Sequence, residues 1–118
     1  MEMNGKVYKS FDFTVRNNTN HFERFKINNT FYRLFFAYNR PNDVWSISVF
    51  KEVFDNGIDI VPIIRNINVV LGVDLFKQYK HLGIGSLWVI PFDSYNLKDP
   101  TANTLSGEYI VEWTYEIN

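Results

Sequence analysis

The sequence predicts a mainly β fold, an antiparallel β-sandwich or partly open barrel of about seven strands, with one short helix near residues 74–82. Three observations predict it. Apolar residues recur with period two along most of the chain. The periodic runs are separated by short turn signals, Asn17-Asn18-Thr19-Asn20, Asn28-Asn29, Arg40-Pro41-Asn42-Asp43 and Asp55-Asn56-Gly57, which imply antiparallel neighbours. Helical spacing is convincing in one stretch alone. The 118 residues are expected to form a single domain, 1–118, with residues 1–20 adding an extra N-terminal strand.

The elements follow in order. Residues 7–15 place Phe11, Phe13 and Val15 on one face, with Asp12 and Thr14 on the other. Residues 22–27 form a second, less cleanly alternating strand, and Asn28-Asn29 fits a two-residue hairpin turn. In residues 31–38, Tyr32, Leu34, Phe36 and Tyr38 share one face, while Phe31, Phe35 and Ala37 share the other beside Arg33. With two apolar faces, that strand is expected at the centre of a sheet or covered on both sides. Residues 44–54 set Trp45, Ile47 and Val49 against Ser46 and Ser48.

Asn56-Gly57 between two β-rich runs favours a type I′ hairpin. The return strand spans 58–71 and contains Pro62, which cannot donate to a ladder and is expected at an edge or a bulge. Gly72 ends it. Asp74 can cap a helix that carries Leu75, Tyr79 and Leu82 on one face and stops at Gly83. Residues 87–92 read as a strand. Residues 94–107, rich in Asn, Asp, Ser, Thr and Pro, read as a long loop, a contact or a connector. Residues 109–117 alternate Tyr109, Val111, Trp113, Tyr115 and Ile117 with Glu112, Thr114 and Glu116.

Composition narrows the function classes. A net charge of −1 lacks the basic surplus behind phosphate affinity, so no specific nucleic-acid partner is expected. With no cysteine, disulfides, thiol catalysis and Cys-bound metal centres are excluded. No apolar run approaches the roughly 18 residues of a membrane span, so no membrane partner is expected. Residues 1–6 have no apolar signal core, and Asn17-Asn18-Thr19 and Asn28-Asn29-Thr30 are read as turns rather than glycosylation sites. Eleven Phe, seven Tyr and three Trp, 18% of the chain, exceed what one small core needs.

No constellation of catalytic or metal-ligating residues emerges, and no cofactor is assigned. His21 follows a turn and His81 lies in the last turn of the helix, where a cation suits the dipole. Gly83-Ile84-Gly85-Ser86 follows a helix and enters a strand, the reverse of a phosphate-binding glycine loop. Asp55, Asp59, Asp93 and Asp99 lack calcium-loop spacing. Phe22-Glu23-Arg24-Phe25-Lys26 and Phe31-Tyr32-Arg33 have the make-up of a stacking platform, though alternation sends rings of this kind into a core. Alternation turns Phe11, Phe13, Trp45, Tyr109, Trp113 and Tyr115 inward. It leaves Phe31, Phe35, Trp88, Phe92 and Tyr95 as candidates for an interface. A carbohydrate-binding sandwich, with Trp45, Trp88 and Trp113 as its rings, is the alternative.

Several segments carry a family resemblance. Phe31 to Asn39 runs into Trp45-Ser46-Ile47-Ser48-Val49 and a turn with Gly57. Gly72, Asp74, Leu75, Tyr79, Leu82, Gly83, Gly85 and Leu87 follow as a spaced series, and Asp99-Pro100-Thr101 and Leu105 precede the closing Trp113-Thr114-Tyr115. Over residues 22–117 this order resembles the phage baseplate plug family, small structural proteins of contractile tails. The resemblance implies a virion protein without enzymatic activity, held among copies of itself in a ring near the tube–hub junction. Its implied neighbours are tail tube, hub and wedge proteins, joined in the host cytoplasm. The motif is made of turn glycines, a helix face and core aromatics, so it speaks for fold and assembly rather than for a chemical site.

Overall fold

The computed structural model describes residues 2–3, 5–15, 20–39 and 44–117. The turns expected at 17–20 and 40–43 lie outside the described residues, apart from Asn20. The strands are β1 (Glu2–Met3), β2 (Lys6–Phe13), β3 (His21–Ile27), β4 (Thr30–Asn39), β5 (Val44–Phe54), β6 (Ile58–Asn68), β7 (Ser86–Pro91) and β8 (Tyr109–Glu116). They form two antiparallel four-stranded sheets, β1-β2-β8-β7 and β3-β4-β5-β6, facing each other as a sandwich rather than closing into a barrel.

Alternation sets the register. In β4, Tyr32, Leu34 and Phe36 point into the core; in β5, Trp45, Ile47 and Val49 do the same; in β8, Tyr109, Val111, Trp113 and Tyr115 complete the layer. The strand expected to be central is central, since β4 lies between β3 and β5. The two sheets meet through rings, with Phe25 4.9 Å and Tyr32 6.5 Å from Trp113 between centroids. Phe11 and Phe13 pack on Phe25 from the other sheet.

Local turn chemistry agrees with the sequence. Asn28 and Asn29 both adopt positive φ, 47° and 69°, as a two-residue hairpin requires. Asn56 and Gly57 do likewise between β5 and β6. Pro62 sits in the edge strand β6, and the ladder slips on either side of Val49, between Ile47 and Phe50. The Ser48 hydroxyl accepts the Asn66 amide at 3.1 Å and holds this irregularity, with Asn66 at φ 54°.

The segment expected as a helix over 74–82 is narrower and tighter, a 3-10 helix over Lys77–Leu82. Asp74 explains the difference. Its Oδ1 accepts the amides of Phe76 and of Leu87, at 2.9 and 3.0 Å, while the Leu75 amide donates to the Leu87 carbonyl. Residues 74–76 are thus tied to β7 instead of beginning a helix. Burial opposes the Asp74 charge, but the hydrogen bonds from Lys80 and from the two amides together hold its carboxyl below the ordinary range. The strand expected over 58–71 ends at Asn68, although the Val69 amide still donates to the Trp45 carbonyl.

The loop after β7 is stitched down. The Trp45 indole donates to the Thr101 carbonyl at 2.6 Å, the Leu71 amide to Asp99, and the Tyr109 hydroxyl to the Lys98 carbonyl. Leu105 is fully buried beneath it, in a four-residue helical turn, Leu105–Glu108.

Two glycines bear the change of direction into β7. Gly83 takes the left-handed conformation that ends the 3-10 helix, in open space. Gly85 lies against β8, where a Cβ would run into the Thr114 carbonyl oxygen at a φ of 93°. Gly85→Ala is therefore expected to cost about 3 kcal/mol or more, and Gly83→Ala about 1 kcal/mol. Chemical denaturation of the two variants beside wild type measures both; equal losses would remove the argument from close approach.

Candidate interaction surfaces

Period two that fills a core on one side of a sheet must display what remains on the other. On the β3–β6 sheet the outward residues are Phe22, Arg24 and Lys26 on β3, Phe31, Arg33 and Phe35 on β4, and Phe50, Glu52 and Phe54 on β5. Phe22 is 59% and Phe54 60% exposed, and Ile58 and Ile60 extend the apolar area along β6. Phe22 and Phe35 contact with centroids 4.5 Å apart, and Phe31 meets Phe54 edge-on.

At the middle of this face sits a carboxylate. The Glu52 side chain is shielded from solvent, and Arg24 reaches it with two hydrogen bonds of 2.7 and 2.9 Å. Arg33 adds a third at 3.0 Å. The Arg24 hydrogen bonds are the largest influence on its ionisation; burial works against them and Arg33 reinforces them, so the Glu52 pKa is pulled down to about 2. Arg24 also lies 3.7 Å from the Phe31 ring centroid, with the Lys26 ammonium 5.6 Å away. One anion thus pins two strands' cations among aromatic rings.

The second sheet displays a different surface. Tyr8, Ser10 and Asp12 of β2, Ile110, Glu112, Thr114 and Glu116 of β8, and Ser86, Trp88 and Ile90 of β7 share its outer face. Asp12 is the direct cross-strand partner of Glu112, and Trp88 flanks Glu112 on the other side. A third exposed region is the loop, where Tyr95 is 90% exposed beside Phe92 and Leu97. An open cavity of about 560 Å³ lies along it, lined by Phe92, Asn96, Lys98 and Tyr109 among others.

The five interface candidates from the sequence therefore fall in three places. Phe31 and Phe35 are half-buried on the β3–β6 face, Trp88 is half-buried on the other face, and Phe92 and Tyr95 belong to the loop. The exposed Phe22, Phe54 and Ile58 escape a reading by alternation, because β3 alternates poorly and the hairpin tip extends beyond the core. Glu52 escapes it as well, since only the strand register brings it to Arg24 and Arg33.

Of the other candidates, His81, Asp55 and Asp59 are exposed, and the rest have structural partners. His21 Nε2 lies 2.8 Å from Glu23 and stacks on Phe13. Asp93 and Asp99 each accept a backbone amide. Among the described residues, no group of three or more acidic or histidine side chains is placed to hold a metal, and no helix is long and apolar enough to cross a membrane. Trp45 and Trp113 are fully buried, each with its indole N–H on a backbone carbonyl, so neither offers a face to a sugar.

A family model described as cyanophage baseplate Pam3 plug gp18 matches residues 8–116. The chain belongs to this family. No curated protein matches it. The matched span reaches further toward the N-terminus than the 22–117 of the sequence resemblance, and takes in most of β2, the strand that pairs with β8. The plug-family series from Gly72 to Leu87 has structural duties here: Asp74 joins the helical segment to β7, Leu75 and Leu87 are core, and Gly83 and Gly85 turn the chain.

Because the Glu52 carboxyl is held below its ordinary value of 4.5, its contribution to stability is present above that value and is lost as pH falls toward 2. Glu52→Gln is expected to be less stable than wild type near neutral pH, with the difference shrinking steadily as the solution is acidified. Urea unfolding midpoints of both proteins across that range test this; a constant difference would show that the carboxylate's charge is not what matters.

Proposed function

We propose that this chain is a structural virion protein of a contractile phage tail, assembled as copies of itself with tail tube, hub and wedge proteins near the tube–hub junction of the baseplate. The family match across residues 8–116 carries this reading. The surface is consistent with it: apolar and aromatic side chains cover an outer sheet face and a loop tip, where a subunit meets neighbours. Phe31, Phe35, Trp88, Phe92 and Tyr95 are the proposed contact residues; the 94–107 loop presents Tyr95 beside its anchored base, and Phe92 lies just ahead of it after β7. Assembly takes place in the host cytoplasm before the finished particle leaves.

Deleting the gene from its phage and supplying it in trans tests the proposal. The expected outcome is incomplete baseplates by electron microscopy without the chain, and intact tails containing it, identified by mass spectrometry, when it is supplied. Normal, infective contractile particles formed without the chain would contradict the proposal.

A further inference from the structure

The two outer faces of the sandwich differ in the way two halves of one contact would. The β3–β6 face carries three cations, Arg24, Lys26 and Arg33, against the single carboxylate of Glu52, set among exposed rings. The β2–β8–β7 face carries three carboxylates, Asp12, Glu112 and Glu116, beside the half-buried ring of Trp88. Only Glu116 has a nearby cation among the described residues, Lys6 at 3.8 Å. Lys80, at the end of this face, is held by Asp74.

One pairing on the acidic face is unfavourable in the isolated subunit. Asp12 and Glu112 are directly opposite across β2 and β8, where like charges destabilise a sheet. A cation from outside the chain would relieve it. Lys26, exposed and committed to no carboxylate among the described residues, stands on the other face of the same molecule.

Resting on the assembly reading above, we propose that copies of this chain dock head to tail, the β3–β6 face of one copy on the β2–β8–β7 face of the next. Lys26 and the Arg24–Arg33 pair meet Asp12 and Glu112, and Phe22 and Phe54 cover the ground around Trp88. The smaller face limits the contact: β2, β8 and β7, of 8, 8 and 6 residues, project on the order of 400 Å², against on the order of 600 Å² for the four longer strands of the β3–β6 face, which suits an interface at the small end of the specific range. Edge-to-edge pairing through β6 is less suited, because Pro62 and two register irregularities interrupt that edge. Since the two patches differ, the contact is heterologous and extends from copy to copy until it closes on itself.

This geometry makes an unusual prediction for mixtures. The Glu112→Lys variant loses the acidic face and keeps the other; the Lys26→Glu/Phe54→Glu double variant does the reverse. Sedimentation analysis of wild type at micromolar concentrations should show association that grows with concentration and weakens with salt. Each variant alone should be monomeric, and an equimolar mixture should give a 1:1 dimer that grows no further, each partner using its intact face. Glu112→Lys should also melt above wild type, because the Asp12–Glu112 repulsion is gone. A wild type that stays monomeric, variants that associate as wild type does, or a mixture that stays monomeric would each overturn the proposal. Tails that incorporate either variant as well as wild type would also overturn it, while leaving the baseplate role intact.

Discussion

The indole of Trp113 is the point at which the two sheets close. It occupies the middle of β8, between β2 and β7, with no exposed surface. Its ring contacts Phe25 of β3, Tyr32 of β4 and Phe76 ahead of the 3-10 helix. Its N–H donates to the Ile84 carbonyl at 2.6 Å, which satisfies the one polar group that burying a tryptophan brings inside. That bond also fixes the Gly83–Gly85 turn against β8, and so the entry of β7 into the sheet. Removing the ring would open a cavity shared by both sheets, where the neighbouring rings have little room to collapse.

Having so many aromatic residues inside has a consequence outside. A sandwich of two four-stranded sheets has two inner and two outer faces, and alternation fills all of them. Ring-bearing residues in β3, β4 and β5 stand on both sides of their sheet, and the outward set cannot be absorbed by a core that the inward set already fills. Glu52 with Arg24 and Arg33 orders this outward set: the carboxylate fixes two long cations side by side, and Arg24 in turn lies over Phe31. Such an arrangement holds a surface ready in one conformation, which lowers the ordering cost when a partner covers it. On the proposed reading, the same sheet serves stability on one side and recognition on the other.

Much of the fold was legible in the sequence because its signals were local. Asn28-Asn29 and Asn56-Gly57 have turn chemistry that fixes hairpins without help from elsewhere, and Pro62 excludes itself from a regular interior ladder. Trp45, Trp113 and Tyr109 follow from alternation. The helix was legible only in part, since its start depends on the long-range bond from Leu87 to Asp74, which no spacing rule contains. The surfaces were the least legible. Phe31 and Trp88 could be assigned to outward positions from period two, but the opposition of Asp12 and Glu112 and the gathering of Arg24, Arg33 and Glu52 are facts of register, created when strands distant in sequence pair.

If the chain acts as a structural subunit through its sheet faces, those faces must be covered in the finished baseplate. A residue-resolution electron cryomicroscopy reconstruction of the tail measures this directly. The account predicts that Phe22, Phe54, Trp88 and Glu112 are buried against neighbouring chains, with basic side chains beside Asp12 and Glu112. It is contradicted if both sheet faces remain open to solvent while the chain is held by its 94–107 loop alone.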